Sequence, residues 1–204
     1  METTPDKVLR AATRLFAQRG YGGVSVRDIC RAASVSMNAV HYHFKNKENL
    51  YRTILQEFAE SRLESARRAL RTPLSGAAEF RTRLHVFTEE MLTALLQEHE
   101  LLHIAYTEFL QLCPHADDSF PRTLVHLRET LSAFISSGKE TGIVRSDVDA
   151  DIAAGLVLLR IAHQVILSRV GERFFDRSIF DPAYREHWTQ QNMDLFLWGM
   201  LGRK

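Results

Sequence analysis

Residues 25–50 read SVRDICRAASVSMNAVHYHFKNKENL, and this stretch decides the fold of the N-terminal part of the chain. Ser25 followed by Asp28 is a helix-start pattern in which a hydroxyl and a carboxylate cap the first turn. Ser36 can cap another short helix that runs through Phe44, and the two residues before it form a tight turn. Two short helices joined by a tight turn predict a helix-turn-helix.

A further helix is predicted on each side of this motif. Thr4-Pro5-Asp6 provides an N-cap, a proline at the first helical position and an acid in the first turn, and Gly20 ends this helix. Asn46 can cap a fourth helix that continues to about Arg71. Apolar residues recur at helical spacing in both segments.

The rest of the chain is also predicted to be helical. The predicted spans are 75–96, 98–112, 121–139, 149–170 and 183–201, with a loop over 171–182. The sequence therefore predicts an all-α protein in which a three-helix head is joined by a shared fourth helix to a body of five to six helices. We expect residues 1–52 to bind DNA and residues 53–204 to bind a ligand and to dimerise.

Charge and composition narrow the function further. The first 52 residues carry a net charge of +5 and the remaining residues carry −4, which favours a polyanion partner at one end, although a solvated surface can show such asymmetry by chance. The longest apolar run, 152–170, is interrupted by Arg160, His163 and Gln164, and a membrane span needs roughly 20 apolar residues. The two cysteines suit neither a disulfide framework nor a zinc site. We expect a cytoplasmic protein with no membrane partner.

The predicted third helix has an apolar inner face and a polar outer face. Val40 and Phe44, with Val35 in the turn before them, are expected to pack inward, which leaves hydroxyl, amide, imidazole, phenol and thioether groups outside. Such a short polar helix fits the major groove of B-DNA.

Four spaced elements resemble the N-terminal domain of TetR-family regulators. They are FAQRGY at 16–21, SVRDI at 25–29, ASVS at 33–36 and YHFKNKENLY at 42–51. The resemblance covers about Pro5 to Arg52, and beyond Ala59 only the helix pattern agrees. It implies a homodimeric transcriptional regulator, a repressor of a palindromic double-stranded DNA operator, with no enzymatic activity, cofactor or metal.

The resemblance also implies which residues meet DNA. They are Ser25, Val26, Arg27, Ser36, Met37, Asn38, Ala39, His41, Tyr42, His43 and Lys47. Of these, Lys47 is expected to meet a phosphate at the start of the fourth helix. Three positions depart from the family pattern: Ser34 and Asn38 replace common glycines, and His41 replaces a common tyrosine. A left-handed Ser34 would cost something like 1 kcal/mol.

One motif points to another class of protein. His99-Glu100-Leu101-Leu102-His103 is a literal HExxH, the pattern of zinc-dependent hydrolases, with Glu108 or Glu129 as possible third ligands. The continuation of the motif fails, because Tyr106 and Phe109 occupy the positions of the expected Gly and His. We therefore favour histidines on a helix surface.

The body is predicted to contain a dimer interface and an effector pocket. The interface residues are Ile152, Leu156, Leu159, Ile166, Leu167, Leu195, Phe196, Trp198 and Met200. The pocket residues, suited to a small hydrophobic or amphipathic effector, are Phe87, Met91, His103, Tyr106, Phe109, Phe134, Arg160, His163 and Gln164. A plain core with a few satisfied polar groups would show the same composition, and a regulator that responds to no ligand stays open.

Overall fold

The computed structural model describes residues 3–200, which form ten helices and no β-strand. The helices are α1 Thr4–Arg19, α2 Val26–Ala33, α3 Met37–Phe44, α4 Lys47–Ala69, α5 Ala77–Gln97, α6 His99–Leu110, α7 Ser119–Glu140, α8 Ala150–Ile166, α9 Ser168–Phe175 and α10 Pro182–Met200. The all-α prediction is confirmed. Leu201, the predicted end of the last helix, lies outside the described residues.

The chain divides into two compact units. The head unit contains the residues through Glu60 together with Glu100–Thr123, and the body unit contains Ser61–His99 together with the residues from Leu124 onward. The division cuts α4 after Glu60. The assignment of residues 1–52 to DNA binding and of 53–204 to ligand binding and dimerisation stays a prediction.

The head is built on the packing of α1 against α2 and α3. Val8, Phe16, Ile29 and Val40 are buried in its core. The N-cap of α1 is Thr3 and not the predicted Thr4, because Asp6 can return a hydrogen bond only to the residue three positions before it. The Thr3 backbone N–H donates to Asp6 Oδ2 at 3.0 Å, and the Asp6 N–H donates to Thr3 Oγ1 at 3.4 Å.

The body unit packs α5 against α8 and α10, with α9 against α8. Its core is rich in phenylalanine, and the rings of Phe80 and Phe134 stack with centroids 4.8 Å apart. Gly138 on α7 permits this packing, because a Cβ there would lie 2.8 Å from Val144 Cγ2 and 3.0 Å from Phe80 Cε2.

The predicted helix over 149–170 is wrong at its C-terminal end. α8 stops at Ile166, and α9 follows at a bend of 58° and fills part of the predicted 171–182 loop. The apolar pattern continues through Leu167, and no Gly or Pro occurs over residues 156–170, so the sequence contains no stop signal at the break. Within residues 3–200 no single helix is long and apolar enough to cross a membrane, and only this bent pair meets the length and composition required.

Candidate nucleic-acid interface

The start of α2 is fixed by a reciprocal cap, as predicted. The Ser25 N–H donates to Asp28 Oδ2 at 3.0 Å, and the Asp28 N–H donates to Ser25 Oγ at 3.2 Å. These hydrogen bonds from the Ser25 hydroxyl and backbone lower the pKa of Asp28 below its ordinary 3.8. The cap therefore contributes stability above that pKa and loses it as the pH falls further.

The turn between α2 and α3 has the tight geometry that the sequence predicts. Ser34 adopts the left-handed conformation, with φ 55° and ψ 44°. Ser36 then caps α3, because its Oγ accepts a hydrogen bond from the Ala39 N–H at 3.2 Å. The two helices are thus held as a helix-turn-helix.

The outer face of α3 is exposed and polar. Val40 and Phe44 are buried, as predicted, whereas Ala39 is half-buried. Ser36, Met37, Asn38, His41, Tyr42 and His43 are exposed, with Tyr42 at 84%. His41 Nδ1 lies 2.6 Å from the Lys45 carbonyl oxygen, which orients its ring. Of the other proposed contact residues, Ser25 and Arg27 are exposed and Val26 is half-buried at the start of α2.

Lys47 is engaged by the protein itself. Its Nζ donates to the carbonyl oxygens of Tyr21 and Val24, each at 3.1 Å, and lies 4.0 Å from the centre of the Tyr21 ring. The phosphate contact expected from the resemblance stays a prediction.

A buried polar cluster in the head unit was missed by the sequence analysis. Glu108 is only 2% exposed, and its carboxylate accepts hydrogen bonds from the N–H groups of His115 (2.6 Å) and Ala116 (2.9 Å) and from the Tyr51 hydroxyl (3.1 Å). The His115 ring lies 4.2 Å from the Tyr21 ring, centre to centre. The Glu108 cluster joins the end of α6 to α4 and to the α1–α2 loop.

The HExxH residues are not arranged as a zinc site in the part of the chain that the structure describes. His99 and His103 are both exposed on α6, and the His99 ring packs edge-on against Phe180. Glu108 is committed to its own hydrogen bonds. No group of three His, Cys, Asp or Glu side chains among residues 3–200 is placed to hold a metal ion.

The proposed effector residues fall in different environments. In the body unit, Phe87, Met91 and Phe134 are buried, Gln164 is half-buried and His163 is exposed. Arg160 is also exposed, and its Nε donates to Asn192 Oδ1 at 2.8 Å. In the head unit, Tyr106 is half-buried, Phe109 is exposed, and His103 lines a cavity of about 280 Å³ beside Tyr21 and Tyr51.

Most of the proposed dimer residues form an exposed apolar face. Ile152, Leu156, Leu159 and Leu167 are exposed on or just after α8, and Leu195 and Trp198 are exposed on α10. Ile166 and Phe196 are half-buried. Met200 is buried within the unit and adds no area to this face.

Comparison with protein families supports a regulator. Residues 8–54 match the family described as "Bacterial regulatory proteins, tetR family". The probable HTH-type transcriptional regulator YttP of Bacillus subtilis is 40% identical over 58 residues, which is 28% of each chain. The HTH-type transcriptional repressor KstR2 of Rhodococcus jostii is 26% identical over 148 residues, which is 72% of this chain and 71% of that protein. The chain thus spans less than a third of the length of YttP and about seven tenths of KstR2.

Solved structures share the fold along the whole chain. The ketosteroid transcriptional regulator KstR2 of Mycobacterium tuberculosis has a TM-score of 0.75 at 20% identity, with 100% of this chain and 97% of that chain covered. The TetR-family transcriptional regulator PfmR of Thermus thermophilus has a TM-score of 0.74 at 24% identity, with both chains fully covered. The matched family and the sequence relatives YttP and KstR2 of Rhodococcus jostii are described as transcriptional regulators, and the zinc-hydrolase alternative gains no support from them.

Proposed function

Because this chain is a DNA-binding transcriptional regulator of the TetR family and not an enzyme, we propose that it binds a palindromic operator as a homodimer and represses transcription. The exposed polar face of α3, capped by Ser36 and supported by buried Val40 and Phe44, is the observation that carries this proposal. Two such helices related by a two-fold axis would enter successive major grooves, roughly 34–36 Å apart.

The operator can be found directly. Selection of genomic fragments with the purified protein should recover a pseudo-palindromic site, and the adjacent genes would identify what is regulated. Repression is supported by the name of the KstR2 relative, and transcription in vitro from the recovered promoter tests it. Recovery of only random sequence would contradict the operator, and increased transcription would contradict repression.

Two substitutions in the head should separate phosphate contact from base readout. Arg27→Ala should weaken binding to operator and random DNA alike and reduce the slope of log affinity against log salt by about 1, because one phosphate contact is lost. Asn38→Ala should leave the slope unchanged and reduce the preference for operator over random DNA roughly 5- to 150-fold, the range of one base contact. Fluorescence anisotropy at several salt concentrations measures both, and the reverse pattern would contradict the assignment.

The body is proposed to bind a small hydrophobic or amphipathic effector that releases the operator. The buried side chains of Phe87, Met91 and Phe134 support an apolar site, and KstR2 is described as a ketosteroid regulator. An effector must favour one of two dimer geometries, since equal affinity for both would shift nothing. In a thermal-shift screen of such compounds, a true effector should raise the melting temperature and lower operator affinity. Compounds that stabilise the protein but leave operator affinity unchanged would contradict the sensor role.

A further inference from the structure

The loop between α1 and α2 is rich in glycine. Its residues 20–23 are Gly-Tyr-Gly-Gly, and Gly20 has a positive φ of 69°. Glycine lacks a Cβ and has wide conformational freedom, so the loop has little intrinsic stiffness. Ser25, the N-cap of α2, follows two residues after this loop segment, and Arg27 follows Ser25 by two more. The conformation of the loop therefore sets where the DNA-facing end of α2 begins.

Lys47 connects this loop to a rigid point. It is the first residue of α4, whose start is capped by Asn46 through a 2.8 Å hydrogen bond from the Asn49 N–H to Asn46 Oδ1. Leu50, one turn on, is fully buried. Because the backbone at Lys47 is held in this way, its side chain can fix the loop when it bonds to the Tyr21 and Val24 carbonyls.

The ammonium group of Lys47 makes two hydrogen bonds and one cation–π contact within the head unit. A lysine has three N–H donors, and two of them serve carbonyl oxygens at 3.1 Å. The charge also lies over the Tyr21 ring at 4.0 Å, a favourable cation–π distance. The Tyr21 ring is itself held, since it contacts the His115 ring and lies edge-on to the Tyr51 ring at 4.9 Å. A phosphate contact could use only the third donor, because the other two donors and the contact with the Tyr21 ring are already engaged within the head unit.

We propose that Lys47 is a positioning residue that holds the α1–α2 loop and so fixes the start of α2 against DNA, and that its ammonium does not itself neutralise a phosphate. The proposal rests on the DNA-binding function, and it replaces the phosphate contact that the resemblance implied for this lysine. Its consequences differ from those of a phosphate contact both without DNA and with it.

Hydrogen exchange of the DNA-free protein tests whether Lys47 holds the α1–α2 loop. In Lys47→Met, exchange of a peptide covering 20–29 should accelerate about tenfold, because the N–H groups of Ser25, Asp28 and Ile29 at the start of α2 become less protected. Lys47→Arg, which retains charged donors, should restore most of the protection. Lys45→Met, which removes an exposed cation two residues away, should leave this peptide at the wild-type rate. Unchanged exchange in Lys47→Met would overturn the proposal, and wild-type exchange in peptides of α1, which lies in the same unit, shows that the head of the variant is folded.

Salt titration with operator DNA tests the second half of the proposal. Lys47→Met should weaken operator binding, but its slope of log affinity against log salt should stay within about 0.3 of the wild-type slope. In Arg27→Ala the same slope should decrease by about 1. A decrease of about 1 in the salt slope of Lys47→Met would show a phosphate contact and overturn the proposal, whatever the result of the hydrogen-exchange experiment. If the wild-type protein failed to bind DNA, the proposed function would fail, and the exchange experiment would still decide whether Lys47 tethers the loop.

Discussion

The double variant Leu156→Glu/Trp198→Glu should be a monomer that no longer binds its operator specifically. Leu156 is 52% exposed on α8 and Trp198 is 87% exposed on α10, so both side chains leave large apolar areas in contact with water in the isolated chain. In a two-fold symmetric interface each substitution occurs twice, which places four carboxylates in one apolar contact. Burial of unpaired charges costs several kcal/mol, so the dimer should dissociate.

The loss of operator affinity should be large because a monomer reaches only one half-site. We expect a decrease of at least roughly 10³-fold, the lower end of the difference between specific and non-specific binding. Sedimentation equilibrium at micromolar concentration should give twice 23.4 kDa for the wild type and 23.4 kDa for the variant. Leu112→Glu is a matched control, because Leu112 is 91% exposed in the loop after α6 and lies outside this face. A variant that kept the dimer mass would show that the two chains meet elsewhere.

The helices α8 and α10 show which features of this face can be predicted from the sequence. In α8, Ile152, Leu156 and Leu159 recur at helical spacing, and periodicity alone identifies them as one stripe. The pattern does not say whether a stripe faces the core or solvent. Near the C-terminal end of α10 the apolar residues lie on several sides of the helix, so the sequence pattern does not distinguish the buried Met200 from the exposed Leu195. Only tertiary packing separates these two residues.

Local signals predicted local structure well. The caps at Ser25, Ser36 and Asn46 and the left-handed turn at Ser34 depend on residues within three positions of each other, and all four are present. The break at Leu167 was not predicted, because a helix end without Gly, Pro or a capping residue leaves no local mark. Burial of Ser168 immediately after the break is a tertiary effect.

In the candidate site, too, the local features are predicted from the sequence and the long-range contacts are not. The exposed face of α3 follows from its amphipathic pattern and was predicted. Lys47 bonds to residues 26 and 23 positions away, and Glu108 bonds to Tyr51 across 57 positions, so no spacing rule could pair them. From the sequence, Glu108 is predicted only as a possible zinc ligand. An acid among apolar residues near the C-terminal end of α6 was the one available signal.

Glu108→Ala should strongly destabilise the head unit. It would leave the half-buried N–H groups of His115 and Ala116 and the buried Tyr51 hydroxyl without their acceptor. The buried hydroxyl costs about 1–3 kcal/mol when it is left unpaired, and each half-buried N–H group costs about 1 kcal/mol, so we expect a total loss of about 3–5 kcal/mol in the free energy of unfolding. For a chain of this length that corresponds to a fall in Tm of roughly 6–20 °C.

Urea denaturation and calorimetry would measure this loss, with Glu100→Ala as the control. Glu100 is half-buried on the same helix, and its removal should change stability by no more than about 0.5 kcal/mol. Glu108→Gln should fall between the two, since its amide oxygen can still accept from one or both N–H groups. A Glu108→Ala variant as stable as the control would show that the cluster does not hold the α6 end to α4.

The same cluster should make the stability of the protein decrease at alkaline pH. Burial, and secondarily the Glu108 carboxylate, raises the pKa of Tyr51 well above its ordinary 10.0. Because the folded state binds this proton more tightly than the unfolded state does, the contribution is complete below pH 10 and is lost as the pH rises beyond it. Tyr51→Phe should therefore be less stable than wild type at pH 7, and the difference should shrink above pH 10. A difference that stayed constant through that range would mean that folding does not raise the pKa of Tyr51.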